Sequence, residues 1–223
     1  MEPQIMRSPA GERVVGKVYP ARELATLLNK QADILRGCEG GVTFSGGEPL
    51  MQAQFVSEVI DLLSDLHVVL DTSGYAREAD FRMVASKSDL VYYDLKLVDR
   101  QAHLRYTGVD NALILSNLQA ASSLGVPFVV RVPLIPGVTD TGENLTLIAA
   151  TIRGLRGLER VELLPYNKAA GGKYKGLGME FQPAFDERRD VNIDIEPFVS
   201  AGIPVKIEGV DMAGLRSKLV SCQ

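Results

Sequence analysis

Short runs of branched and aromatic residues alternate along this chain with stretches whose apolar positions repeat every three or four residues. The runs predict strands over 41–45, 67–71, 89–94, 126–132, 159–164 and 203–207, and several are apolar nearly throughout, as strands covered on both faces are. The intervening stretches predict helices. Leu24, Leu27, Leu28 and Leu35 share one face behind Pro20, which suits a first helical turn. Phe55, Val59, Leu62, Leu63 and Leu66 form a second stripe, Ile114, Leu115, Leu118 and Ala121 a third, and Leu145, Ile148, Ala149 and Ile152 a fourth. Ile195, Phe198 and Val199 suggest a last helix before the final strand. Strand alternating with helix at this spacing predicts βαβ units around a parallel sheet, either an open doubly wound sheet or a barrel, complete or partial. No boundary divides the chain, so 1–223 reads as one α/β domain. Residues 169–178, rich in Gly and Lys, read as a mobile loop after the fifth strand. The segment 1–18 has weak periodicity and begins as though something preceded it.

In parallel α/β folds, ligands sit at the C-terminal ends of the strands, so the residues just past each run are informative. The first runs into Ser45-Gly46-Gly47-Glu48-Pro49, where paired glycines permit positive φ and close backbone approach. The second ends in Asp71-Thr72-Ser73-Gly74 and the third in Asp94-Leu95-Lys96, whose charged residues point the same way by strand alternation. The fourth carries Arg131 and exits through Pro133-Leu134-Ile135-Pro136-Gly137, and the fifth exits through Leu164-Pro165-Tyr166-Asn167. Two carboxylates, one ammonium and one guanidinium thus converge on one mouth, which suits a small zwitterion. Lys96 or Arg131 fits its carboxylate, and Asp71 and Asp94 fit its ammonium or a bound cation.

Composition narrows the classes. With 46% hydrophobic and 23% charged residues and a net charge of −4, the chain is a globular protein with no electrostatic case for general nucleic-acid binding. No apolar run approaches the roughly 18 residues of a membrane span, and the first ten residues lack a secretory layout, so a cytoplasmic location is expected. Two cysteines, Cys38 and Cys222, read as structural or incidental thiols. His67 reads as a packed or edge residue, His103 as a surface or supporting group, and Met51, Met83 and Met179 as packing residues. The charge run 186–190 reads as a solvated helix face.

The motifs Gly-Gly-Val-Thr-Phe-Ser-Gly-Gly-Glu-Pro (from Gly40 or Gly41 to Pro49), Leu70-Asp71-Thr72-Ser73-Gly74, Tyr93-Asp94-Leu95-Lys96, Tyr106-Thr107-Gly108-Val109, Arg131-Val132-Pro133-Leu134-Ile135-Pro136-Gly137 and Glu162-Leu163-Leu164-Pro165-Tyr166 stand in one order and spacing. In this the chain resembles the glycyl-radical-enzyme activating family of radical-SAM proteins, of the pyruvate formate-lyase activating enzyme type, over roughly 18–207. The resemblance implies a partial parallel (β/α) barrel that binds S-adenosylmethionine (SAM) against a [4Fe–4S] cluster. It implies reductive cleavage of SAM to a 5′-deoxyadenosyl radical, which takes hydrogen from a glycine of a partner glycyl-radical enzyme. A flavodoxin or ferredoxin would be the electron donor. By the same resemblance, Gly46, Gly47 and Glu48 would approach the methionyl ammonium, and Lys96 and Arg131 the carboxylate. Asp71, Thr72 and Asp94, with the backbone near Tyr92, would form a monovalent-cation site. Leu164, Pro165 and Tyr166 would flank the adenosyl part. Asn167 stands where the family often has His, able to hydrogen-bond but not to titrate near neutrality.

The family's Cys-x-x-x-Cys-x-x-Cys, whose three thiolates leave one iron open, is not found in these residues. The first strand expected of the family is missing as well. The resemblance therefore predicts an N-terminally truncated barrel, inactive by itself, with an unpaired strand edge inviting self-association. Two other readings stay open: a barrel lyase using Lys96 as a Schiff-base amine, and a non-catalytic binding module.

Overall fold

The computed structural model describes residues 4–8, 11–15, 17–166, 184–207 and 210–211. All six expected strands are present, as β3 (Gly41–Phe44), β4 (His67–Thr72), β5 (Leu90–Asp94), β6 (Phe128–Leu134), β7 (Leu158–Pro165) and β8 (Val205–Ile207). They pair in parallel and in chain order, and β9 (Val210–Asp211) adds to β8 antiparallel. Sequential order without a reversal settles the choice that periodicity left open and agrees with the partial barrel that the resemblance implies. Right-handed crossovers then all fall on the same side, giving a singly wound, open α/β sheet of the partial-barrel kind rather than a doubly wound one. Among the described residues no strand pairs with the outer edge of β3.

Among the described residues the helices are α1 (Ala21–Asn29), α2 (Ala32–Gly37), α3 (Ala53–Asp61), α4 (Glu78–Ala85), α5 (Arg100–Thr107), α6 (Ala112–Leu124), α7 (Gly142–Ile152) and α8 (Glu196–Ser200). The first predicted helix is two. Leu28 and Leu35 pack with Ala32, Val42 and Leu66, while Leu27 is turned outward, 46% exposed. The second stripe is cut at Asp61, leaving Leu62 38% exposed. Helices α4 and α5, a 3-10 turn over Pro49–Gln52, and a hairpin of β1 (Gln4–Ser8) with β2 (Gly11–Val15) were not read from the pattern. α5 is polar, with His103 as its one buried residue, so its start lies instead in a cap: the Asp99 carboxylate accepts from Ala102 N at 2.7 Å.

The core lies between the sheet and these helices. Leu70, Val91, Tyr93, Val130, Val132, Val161 and Leu163 meet Phe81, Leu118, Leu145, Ile148 and Phe198, each fully buried. Alternation puts Asp71, Tyr92, Asp94, Arg131, Arg160 and Glu162 on the other face, all only partly buried. No helix among the described residues is long and apolar enough to cross a membrane.

Several smaller expectations change. The run 186–190 forms turns, not a helix. Met51 is 73% exposed on the 3-10 turn, so packing does not account for it. Cys38 is exposed too, its thiol donating to Leu35 O at 3.4 Å. His103 is buried rather than at the surface, with Nδ1 2.8 Å from Val109 O. His67 opens β4 at an exposed position. Cys222, Met179, Asn167 and the loop 169–178 lie outside the described residues.

Candidate functional site

The turn after β3 and the turn after β4 are joined by one carboxylate. Glu48 Oε1 accepts from Thr72 Oγ1 at 2.6 Å and from Leu50 N at 3.2 Å. Its Oε2 accepts from Ser73 Oγ at 2.6 Å and Ser73 N at 3.0 Å. A carboxylate offers about four acceptor sites, so the chain itself fills Glu48. Thr72 in turn is fixed by Gly74 N, which donates to its hydroxyl at 2.9 Å. Above this staple, Gly46 and Gly47 take φ of 85° and 44°, and a Cβ on either would meet only open space. Their backbone is therefore open to close approach.

Next to it stands the charge cluster. Arg131 Nη2 donates to Asp71 Oδ1, and both Nη2 and Nε donate to Asp94 Oδ1, at 2.9 and 3.0 Å. Ser45 Oγ donates to Asp71 Oδ2 at 2.9 Å, tying the glycine turn to the cluster. The guanidinium also lies over the Tyr92 ring, 5.0 Å from its centroid. Burial works against the Arg131 charge, but the Asp94 and Asp71 carboxylates outweigh it and hold the guanidinium protonated above its ordinary range. Lys96 Nζ reaches Asp94 at 3.8 Å, beyond hydrogen-bonding distance, so its donors stay available to a ligand. Two positive and two negative groups leave the cluster neutral overall, the balance a zwitterion leaves undisturbed.

The far side of the mouth is built by β7. Tyr166 donates from its hydroxyl to Glu187 Oε1 at 2.5 Å, and its ring meets Phe185 edge-on at 5.2 Å. Desolvation and the Glu187 carboxylate push the phenol up to about 12. The turns over 186–190 are therefore latched to the end of β7. Their other end is tied down by Asp140, 2% exposed, which accepts from Asn192 N at 2.8 Å. Glu187 and Asp140 were not singled out in the sequence: nothing in a charge run distinguishes the one carboxylate that folds back.

The structure thus brings Gly46, Gly47, Glu48, Asp71, Thr72, Asp94, Lys96 and Arg131 to one rim, with Tyr166 on the same rim at the end of β7. Over residues 8–146 the chain matches the Radical SAM superfamily. It belongs to that superfamily. Among curated relatives, it is 37% identical over 174 residues to the trans-4-hydroxy-L-proline dehydratase activating enzyme of Clostridioides difficile, covering 76% of this chain and 57% of that one. It is 33% identical to the pyruvate formate-lyase-activating enzyme of Clostridium pasteurianum, covering 75% and 71%. It therefore spans little more than half the length of the first of these. Among solved structures, a domain of pyruvate-formate lyase-activating enzyme from Bacteroides vulgatus superposes with a TM-score of 0.60 at 28% identity, over 76% of this chain and 99% of that domain. A radical SAM methyltransferase from Sphaerobacter thermophilus, at 17% identity and a TM-score of 0.59, shares the fold.

Membership of the radical SAM superfamily implies SAM and a [4Fe–4S] cluster. The residues present fit the first: an open glycine turn beside a neutral, four-charge cluster suits an amino-acid end carrying both signs. They do not fit the second. The sequence holds two cysteines, and among the described residues no three Cys, His, Asp or Glu side chains are grouped to hold a metal.

Proposed function

We propose that this radical SAM domain binds SAM at the strand-end rim, as the SAM-holding part of a glycyl-radical-enzyme activating enzyme. The observation that carries this reading is the joining of the Gly46–Gly47 turn, through Glu48 and Ser45, to the Asp71–Asp94–Arg131 cluster. Because Glu48 is filled by the chain's own donors, the carbonyls of the glycine turn are the acceptors left for the methionyl ammonium, with the Glu48 charge behind them. Lys96 takes the carboxylate, and Arg131 supports it while neutralising Asp71 and Asp94. Tyr166, with Asn167 beyond it, borders the adenosyl part. A monovalent cation at Asp71, Thr72 and Asp94 would share the two carboxylates with Arg131, which bonds Oδ1 of each and leaves Oδ2 of Asp94 without a hydrogen bond among the described residues.

In the activating reaction, SAM supplies the 5′-deoxyadenosyl group that takes hydrogen from a glycine of the partner. Two cysteines cannot give the three thiolates that leave one iron open. Activation is therefore proposed for a polypeptide with further thiolates beside these residues, and SAM binding for these residues alone. Its partner is a glycyl-radical enzyme, its electron donor a flavodoxin or ferredoxin, and its setting the cytoplasm. A Schiff-base role for Lys96 has less support, since its side chain is 36% exposed beside Asp94 and lacks the apolar enclosure that favours a nucleophilic amine.

Calorimetric titration tests the reading. SAM should bind more tightly than 5′-methylthioadenosine, which has the nucleoside and thioether but no amino-acid end. A folded chain that binds neither, or binds both alike, overturns it.

A further inference from the structure

The turns that carry the site are held from beneath by buried asparagines, none of which belongs to the charge cluster. Asn117, in the middle of α6, is 0% exposed. Its Nδ2 donates to Gly74 O and to Ala76 O, both at 2.8 Å, and its Oδ1 is buried without a partner. Asn144, in the first turn of α7, donates from Nδ2 to Lys96 O and Thr139 O, each at 2.9 Å, and its Oδ1 accepts from Val98 N at 3.3 Å. Asn111 adds bonds to Leu97 O and Val98 O at 3.2 and 2.7 Å.

Asn117 stands in the apolar stripe of Ile114, Leu118 and Ala121, where Leu would suit both the helix and the core. A buried acceptor left unpaired is destabilising, because it gives up its bond to water and gains none in return. What offsets that cost is the hold on the turn after β4. The turn has no slack on its other side either, since a Cβ at Gly74 would come 1.8 Å from the Tyr93 hydroxyl. That hydroxyl is itself fixed, donating to Ile114 O at 2.5 Å. From the braced turn, Ser73 N and Oγ reach Glu48, and Glu48 sets the base of the Gly46–Gly47 turn.

We propose that Asn117 and Asn144 are positioning residues for the amino-acid end of SAM. Asn117 fixes the acceptor side through Gly74, Ser73 and Glu48, and Asn144 fixes the donor side through the backbone of Lys96. Neither touches the ligand. The inference rests on the SAM-binding reading above.

The test compares SAM with 5′-methylthioadenosine on Asn117→Leu, Asn117→Ser and Asn144→Leu. Each substitution should weaken SAM by about tenfold or more and leave 5′-methylthioadenosine within about twofold. Asn117→Ser, which retains one donor, should fall between Asn117→Leu and the unaltered chain. A purely structural role predicts lower stability with the ratio of the two affinities unchanged, and that result overturns the proposal. If the Leu variants fail to fold, Asn117→Ser decides by the same ratio, together with hydrogen exchange at Ser73, which should quicken while the amides of β5 and β6 stay protected. Unchanged exchange at Ser73 also counts against the inference. Failure of the unaltered chain to prefer SAM would instead sink the SAM-binding reading.

Discussion

The two faces of the one sheet are built on different physics. Along β5 and the two residues that follow it, Val91, Tyr93 and Leu95 are at most 1% exposed against the helices, while the side chains of Asp94 and Lys96 are 27% and 36% exposed on the opposite face. The helix-covered face is held by removal of apolar area from water, which needs no particular partner. The bare face is held by directed contacts, each charge answered by another: Asp71 and Asp94 by Arg131, and Glu162 by Arg160 at 2.7 Å. The first face gives the fold its stability. The second fixes the geometry of its charged groups, whose attraction is largely offset by their desolvation.

The largest effect that would sharpen this contrast lies on the covered face. Phe81→Ala removes a fully buried ring packed edge-on to Tyr93, 6.0 Å between centroids, and should cost about 3–5 kcal/mol in denaturant unfolding. Val69→Ala, half-buried on the bare face, should cost under about 1 kcal/mol. Comparable losses at both positions would break the comparison.

Arg131→Met comes next. It leaves Asp71 and Asp94 without their shared cation, and should destabilise by about 2–3 kcal/mol, somewhat below a fully enclosed pair. SAM affinity should fall by about tenfold or more, while Phe81→Ala, below its unfolding range, keeps the affinity. A Met variant as stable and as tight-binding as the unaltered chain would mean that charge does not organise the bare face.

The smallest effect is at the latch. Tyr166→Phe removes one hydrogen bond and should cost about 0.5–1.5 kcal/mol. It also carries a pH signature. The phenol stands at about 12 in the fold and near 10 when unfolded, so its contribution is complete below about pH 10 and is lost as pH rises through about 12. Stability measured across that interval should fall less steeply in Tyr166→Phe; parallel curves would remove the latch from the account.

How far the sequence reached differs between the faces in the same way. The six strands were legible because their apolar runs are short and bounded, and the shared direction of Asp94 and Lys96 came from alternation alone. Glu48 was legible as a site residue through its motif, but its neighbours were not. Four donors from Leu50, Thr72 and Ser73 fill it, and they meet it only because two turns lie side by side. Asn117 and Asn144 left a faint signal, a polar residue among apolar ones on a helix. The carbonyls they hold at Gly74, Ala76 and Lys96 lie dozens of positions away in the chain. Helix α5 was missed because its stripe is a single histidine, and the run 186–190 was misread because charges alone do not distinguish a helix face from a turn pinned by Tyr166 and Asp140.

By itself, then, the sequence determined the alternation of strand and helix, the parallel sheet, and which charged residues stand at strand ends. Those arise from local periodicity, which each segment carries within itself. The motifs, through their resemblance, added the singly wound barrel; only the tertiary structure decided that Arg131 spans both aspartates and that Glu48 serves the chain's own turns. Each of these depends on which segments become neighbours, and a hydrogen bond or an ion pair exists only at a distance that folding sets.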